Sequence, residues 1–201
     1  MRHAETDWNR ERRYQGWTDP PLSASGRQQA EASARALREP VLSGVYSSPL
    51  RRARETAVAI AALHKLDVQV EEAFKEMGFG RWEGLTLEEA RAQDPDLYQS
   101  WIDTPHRVAP PAGETLEEVK ARVLAGLAEL REAHGGGNVC LVTHSITARI
   151  LILEALGLGL DRIWSIQVSA SGISELEFRP DWTAVHRMNT RAHLEAAPAG
   201  R

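Results

Sequence analysis

Three separated stretches of the chain carry side chains suited to handling an anion. Arg2-His3 opens the sequence, Arg51 and Arg52 lie in SSPLRRARETA, and His144 lies in VTHS. Each stands where a strand-like run gives way to a loop or helix. In open α/β sheets ligands bind at the carboxyl ends of strands, and helix amino termini there favour negative charge. Basic groups gathered at such places point to phosphate. The histidines raise a second chemistry, metal ligation. However, the seven histidines include no HxH or HxxxH pair and no Cys/His cluster, so no metal is expected.

The elements that must position these groups alternate along the chain. Ala30, Ala34 and Leu37 fall at helical spacing in a helix expected from Ser25 to about Arg38, with Ser25 and Gln28 placed like a capping box. A short strand GVYSS (Gly44 to Ser48) follows, then a helix from about Leu50 to Leu63. DVQV (Asp67 to Val70) alternates like a strand. Thr86 and Glu89 form a second capping-box pair, opening two short helices separated by Pro95. The clearest helix begins at the pair Thr115 and Glu118, carries Leu116, Val119, Val123, Leu127 and Leu130 on one stripe, and ends at Gly135.

Val139 to Val142 is a continuous apolar run, as in a strand covered on both faces of a parallel sheet, and a helix from about Ser145 to Leu156 follows it. ISELEF (Ile173 to Phe178) and TAVHRM (Thr183 to Met188) close the chain as strands. The pattern predicts an α/β fold of layered type.

Composition narrows the partners. The 201 residues suit one domain, expected over residues 1–196, with APAGR (Ala197 to Arg201) as a solvated, flexible tail. A formal charge of −4 without a Lys/Arg block argues against nucleic acid, although RERR (Arg10 to Arg13) suits a smaller anion. No apolar run approaches the ~18 residues of a spanning helix and the start is unlike a signal peptide. A cytoplasmic protein with no membrane partner is therefore expected. Cys140, in VCLV, has no partner for an intrachain disulfide and reads as a buried, inert thiol. Trp17, Trp82 and Trp101 read as packing residues, with an apolar specificity pocket as the other reading.

RHAETDWN, RYQGWTDPPLSASGRQQA, SSPLRRARETA, KEMGFGRWEGLT, PPAGETLEEV and LVTHS occur in the order and at about the spacing of the histidine phosphatase superfamily, the phosphoglycerate-mutase-like group. The chain resembles that family from Arg2 to about Leu194. The resemblance implies a three-layer α/β/α sandwich around a mostly parallel sheet, and a covalent phosphohistidine mechanism with no cofactor.

On that resemblance His3 attacks phosphorus, and neighbouring Arg2 and Arg52 keep it unprotonated. Arg2, Arg52 and His144 grip the nonbridging oxygens. Arg52 matches the family's SPLxRA pattern, which leaves Arg51 as a solvated surface charge. Glu76 matches the family's acid position, where a partly desolvated carboxylic acid beside phosphate keeps the proton that a general acid needs; Glu83 is its rival. Asn9, Gln15, Gly16 and Ser145 match the substrate side, with a plain capping or turn role for Asn9 as the other reading.

The sequence departs from the family pattern at two places: Ala4 and Ser145 replace the usual glycines after the histidines. If position 4 demands φ > 0, Ala4 costs on the order of 1 kcal/mol. Only Met1 precedes Arg2, where the resemblance implies an apolar strand. On that expectation Met1 is internal to a longer chain or a first strand is lost, and His3 is left untethered.

Only 38 positions separate Glu76 from Glu114, and FGRWEGLT stands where mutases carry a longer insert and a YGxLQGL-type segment. The expected function is therefore a phosphomonoesterase of histidine acid type, a monomer or homodimer acting on a small phosphorylated substrate. A bisphosphoglycerate-dependent phosphoglycerate mutase and a noncatalytic phosphate- or protein-binding member are the alternatives. Substrates implied by the resemblance are sugar or glycerate phosphates, the ribazole phosphate of cobalamin synthesis, and nonspecific esters.

Overall fold

The computed structural model describes residues 1–39 and 41–195. The expected tail, residues 197–201, lies outside them, as does the expected domain end at residue 196. In chain order the elements are α1 (Asp7–Arg10), α2 (Ala24–Ala36), β1 (Leu42–Ser47), α3 (Arg51–His64), β2 (Val68–Val70), α4 (Leu87–Gln93), α5 (Pro95–Asp103), α6 (Leu116–Ala133), β3 (Asn138–Val142), α7 (Ser145–Leu156), β4 (Ile173–Phe178), β5 (Thr183–Thr190) and α8 (Ala192–Glu195).

β2, β1 and β3 form a parallel sheet in that order, with Val45 opposite both Val68 and Cys140. β4 and β5 form a separate antiparallel pair. Strand alternation divides the core into two. Val45, Cys140 and Val142 face Ala53, Ala57 and Ile60 of α3, with Ala34 of α2 in the same cluster. Tyr46 and Leu141 face the other way, toward Val119 and Val123 of α6 and Ile150 of α7. Helices thus cover both faces of the parallel sheet, giving the expected three layers. Cys140 is a free, buried thiol, and burial raises its pKa.

Local signals set the helix starts. Thr86 with Glu89 and Thr115 with Glu118 make complete capping boxes, each hydroxyl accepting from the glutamate N–H while the glutamate carboxylate accepts from the threonine N–H. The third expected box is not formed: α2 is capped by Ser23, whose hydroxyl accepts from Gly26 N–H, so Ser25 lies inside the first turn. Sequence spacing alone does not distinguish two cap-competent serines two positions apart. On α6 the stripe Leu116, Val119, Val123 and Leu130 is buried, each side chain contributing roughly 1.5–3 kcal/mol. Gly126 lies on the same face, and a Cβ there would stand 2.7 Å from Ala73 Cβ, so only glycine lets α6 approach the turn carrying Phe74.

α7 is the most deeply buried helix. Ile146, Ile150, Leu151, Ile152 and Leu153 are all buried, and Gly157 ends the helix at φ 65°. It starts directly after His144, so the turn from β3 into α7 delivers that imidazole and the free N–H groups of the helix's first turn to one place.

Candidate active site

His3 is held more firmly than its place in the sequence suggests. Its N–H donates to Thr143 O at 2.9 Å and its C=O accepts from Ser171 N–H at 3.1 Å. Arg2 N–H donates to Gly172 O, Thr143 N–H to Met1 O, and Ala4 N–H to Thr56 Oγ1 at 3.0 Å. The Met1 ammonium donates to Leu141 O. The first residues thus lie between the end of β3 and the segment leading into β4, and the expectation of an untethered nucleophile is corrected by these bonds. Ala4 is fully buried and does not adopt a positive φ, so the strain considered for that position is not present.

The side-chain contacts of His3 fix its tautomer. Nδ1 lies 2.7 Å from Ala4 O, and a carbonyl only accepts, so Nδ1 carries the hydrogen and Nε2 the lone pair. The ring is 2% exposed and lines a cleft of about 560 Å³. Burial, then the charges of Arg52 and Arg2, hold its pKa well below 6.5. At neutral pH the imidazole is uncharged.

His144 stands behind His3, with ring centroids 5.1 Å apart. Its Nε2 lies 2.6 Å from Ser48 Oγ, and that oxygen already accepts from Leu50 N–H. Among the described residues the Ser48 hydroxyl has no other acceptor, so its hydrogen is assigned to Nε2, which places the imidazole hydrogen on Nδ1. Nδ1 is buried and has no partner among the described residues. Burial first, then Arg52, lowers the pKa of His144 well below its ordinary value.

Two guanidiniums complete the inner end. Arg52 is fully buried and donates through Nη1 to Thr18 O at 2.9 Å and through Nη2 to Gly16 O at 2.8 Å. Arg2 donates through Nη1 to Val168 O. Burial pulls each down to about 10, against the opposing charge of Glu76. In both residues Nε is buried and has no partner among the described residues. Three unpaired donors, Arg2 Nε, Arg52 Nε and His144 Nδ1, each carry a desolvation cost that an anion would relieve.

Glu76 is 5% exposed and lines the same cleft. Its carboxyl oxygens accept from Met77 N–H at 2.9 Å, Ser145 N–H at 2.9 Å and Ile146 N–H at 3.2 Å. The last two belong to the first turn of α7, where the helix dipole favours negative charge. Glu83, the rival, does not line the cleft. Its carboxylate is taken up by the N–H groups of Trp17, Thr18 and Phe79 and the hydroxyl of Thr18.

The other expected residues are brought in with different duties. Asn9, Gln15, Gly16 and Ser145 all line the cleft. Asn9 also forms a capping box with Thr6, which is the plain role weighed for it, and Gln15 accepts from Thr6 Oγ1. Arg51 is exposed and paired with Glu55. Trp82 is a buried core residue, Trp101 is buried and also lines the cleft, and Trp17 is 49% exposed, under the Lys75 ammonium. Within RERR, Arg12 and Arg13 reach the cleft wall.

Sequence reasoning missed Ser48, Thr56 and Arg149. Arg149 lines the cleft, donates to Ile166 O and Ser145 Oγ, and lies over the Trp164 ring at 5.4 Å. A single basic residue inside the apolar run ITARILIL was the available signal. Ser48 and Thr56 carried none, since their value lies in partners 96 and 52 positions away.

Residues 1–191 match the family model of the histidine phosphatase superfamily, branch 1. The chain belongs to this superfamily. Among its histidine phosphatase relatives, phosphoserine phosphatase 1 of Hydrogenobacter thermophilus is 34% identical over 194 residues, 96% of this chain and 92% of that protein. Bacillus stearothermophilus YhfR superposes with a TM-score of 0.91 at 32% identity, covering 96% of each chain. A mycobacterial glucosyl-3-phosphoglycerate phosphatase complexed with VO3 gives 0.86 at 31% identity, over 94% of this chain and 97% of its own. The mixed α/β architecture with a central parallel sheet is shared with these structures, and the phosphatase-named relatives support phosphatase activity.

Among the described residues no group of three or more His, Cys, Asp or Glu is placed to hold a metal ion, and no helix is long and apolar enough to cross a membrane.

Proposed function

We propose that the protein is a phosphomonoesterase acting on small phosphorylated metabolites through a phosphohistidine on His3. The observation that carries this reading is a neutral imidazole whose Nε2 is free, next to three buried donors without partners. In the first step the Nε2 lone pair forms a bond to phosphorus and the ester P–O bond breaks. The bonding pair leaves with the ester oxygen, which takes the proton of the Glu76 carboxylic acid. The three N–H groups and the start of α7 then stabilise the carboxylate that remains, which makes the proton easier to give. Arg2, Arg52 and His144 Nδ1–H hold the charge spread over the equatorial oxygens.

In the second step Glu76 takes a proton from water, the water oxygen bonds to phosphorus, and the P–N bond returns its pair to Nε2. Orthophosphate leaves. The cleft is far larger than a phosphate group, and Arg12 and Arg149 stand on its wall. Both features, together with relatives named for phosphoserine and glucosyl-3-phosphoglycerate, support leaving groups that carry an acid.

The test uses an aryl phosphate in the presence of a chelator, with the reaction quenched at alkaline pH. A phosphoryl mass increase at His3, absent in His3→Ala, is expected; turnover without that adduct overturns covalent catalysis. Rapid isomerisation of 3-phosphoglycerate with bisphosphoglycerate, without phosphate release, overturns hydrolysis as the activity. A panel of phosphometabolites then ranks acid-bearing against neutral esters.

A further inference from the structure

Glu83 takes no part in the steps above, yet its carboxylate is among the most heavily used in the molecule. Oε1 accepts from Trp17 N–H at 2.9 Å and Phe79 N–H at 3.0 Å, and Oε2 from Thr18 N–H at 2.8 Å and Thr18 Oγ1 at 2.6 Å. The segment it holds is the one that holds Arg52. Gly16 C=O and Trp17 N–H belong to one peptide unit: the carbonyl accepts from Arg52 Nη2 while the N–H donates to Glu83. Because that unit is planar and stiff, rotating it breaks both bonds together. Thr18 links the same two side chains through adjacent peptide units, its N–H going to Glu83 and its C=O accepting from Arg52 Nη1.

Gly16 supplies an independent sign of this fit. Its φ is +51°, and a Cβ there would lie 2.0 Å from Glu83 Oε1. The carboxylate therefore occupies the space that any other residue at position 16 would need. Opposite charges at the two ends of a chain of hydrogen bonds polarise the peptide between them and strengthen each link. The far end of the loop is fixed by Asp19 Oδ1, which accepts from Arg51 N–H at 2.8 Å and lies 3.7 Å from Arg52 Nη1.

We infer that Glu83 is a positioning residue: through the loop formed by Gly16, Trp17 and Thr18 it orients the Arg52 guanidinium so that Nε is presented to the phosphoryl group. The inference rests on the reading that Arg52 binds phosphate.

The test is a double-mutant cycle read by calorimetric binding of inorganic phosphate, with Glu83→Gln made in the wild-type and Arg52→Lys backgrounds. Glutamine places an NH2 group against donors, so loop bonds are lost, while lysine cannot span both carbonyls. Glu83→Gln weakens phosphate binding about tenfold in the wild type, an amount comparable with one misplaced charge-assisted hydrogen bond. In the Arg52→Lys background it changes binding by less than about twofold, since coupled residues are non-additive. An equal loss in both backgrounds, or no loss in the wild type, overturns the inference, because a general loosening of the fold acts without Arg52.

Should Glu83→Gln fail to fold by circular dichroism, Thr18→Val removes one of the same bonds and is put through the same cycle. A several-fold loss that depends on Arg52 supports the inference, and a loss independent of Arg52 sinks it. If wild-type protein binds phosphate with this coupling but never forms the His3 adduct, the mechanism fails and the positioning role stands. If the adduct forms without coupling, only the positioning role fails.

Discussion

At the inner end of the cleft His3 and Arg52, with His144 beside His3, are no more than 2% exposed, and each is fixed by bonds to backbone or hydroxyl groups, His3 to Ala4 and Thr143, His144 to Ser48, and Arg52 to Gly16 and Thr18. At the mouth, Arg12 is exposed, Trp164 is 39% exposed, and the Arg13 charge is shared with Glu11 and Glu89. The difference follows the chemistry. A phosphoryl group has one shape and one charge pattern, so the groups that bind it gain from being rigid and dry. A leaving group varies between substrates, and exposed charges worth little in water leave room for that variation. Arg149 lies between the two regimes, half-buried yet pinned by Ser145, Ile166 and Trp164.

Substitutions sharpen this contrast in proportion to depth. His3→Ala removes the proposed nucleophile and is expected to lower kcat/KM by roughly 10⁴-fold or more, with no phosphoryl adduct in the mass spectrum. Glu76→Gln is expected to cost about 10²–10⁴-fold on alkyl phosphates, whose leaving oxygen needs a proton. It costs much less on an aryl phosphate with a good leaving group. Equal losses on both esters, in steady-state assays, would remove Glu76 from the general-acid role.

Arg149→Ala is expected to change the ratio of kcat/KM for phosphoserine to that for a neutral phosphate ester by about tenfold, as for one lost charged hydrogen bond. Arg12→Ala is expected to change it less. If Arg12 proves the larger, the mouth is more ordered than its exposure indicates.

The smallest expected effect is on stability. His3 and His144 are held neutral by burial, so in acid the unfolded chain takes up protons that the folded one refuses. Stability therefore falls as pH drops below about 6.5, at up to roughly 1.4 kcal/mol per pH unit for each histidine. His144→Gln should remove about half of that slope between pH 6.5 and 5, measured by urea unfolding at a series of pH values.

Much of the frame was legible in the sequence because its signals are local. The capping boxes at Thr86 and Thr115, the stripe on α6 and the apolar run of β3 each depend on neighbours within a few positions. The cap of α2 was misplaced by two residues because Ser23 and Ser25 are chemically equivalent until the chain bends. The functional residues were legible through motifs, yet Glu76 and Glu83 were separable only by alignment. In the structure they are unmistakable: one meets the start of α7, the other the underside of the loop around Trp17.

The sequence by itself pointed to the groups proposed to carry chemistry, the kind of fold that gathers them, and the family. The three-dimensional arrangement alone decided that His3 keeps its lone pair on Nε2, that His144 Nδ1 has no partner among the described residues, that Ala4 sits without strain, and that Glu83 and Arg52 bind the same loop around Trp17. The reason is physical: a side chain's type is covalent and stays with the chain. Its proton position, its unmet hydrogen bonds and its neighbours are set by carbonyls and hydroxyls that only folding brings near, such as Ser48 beside His144.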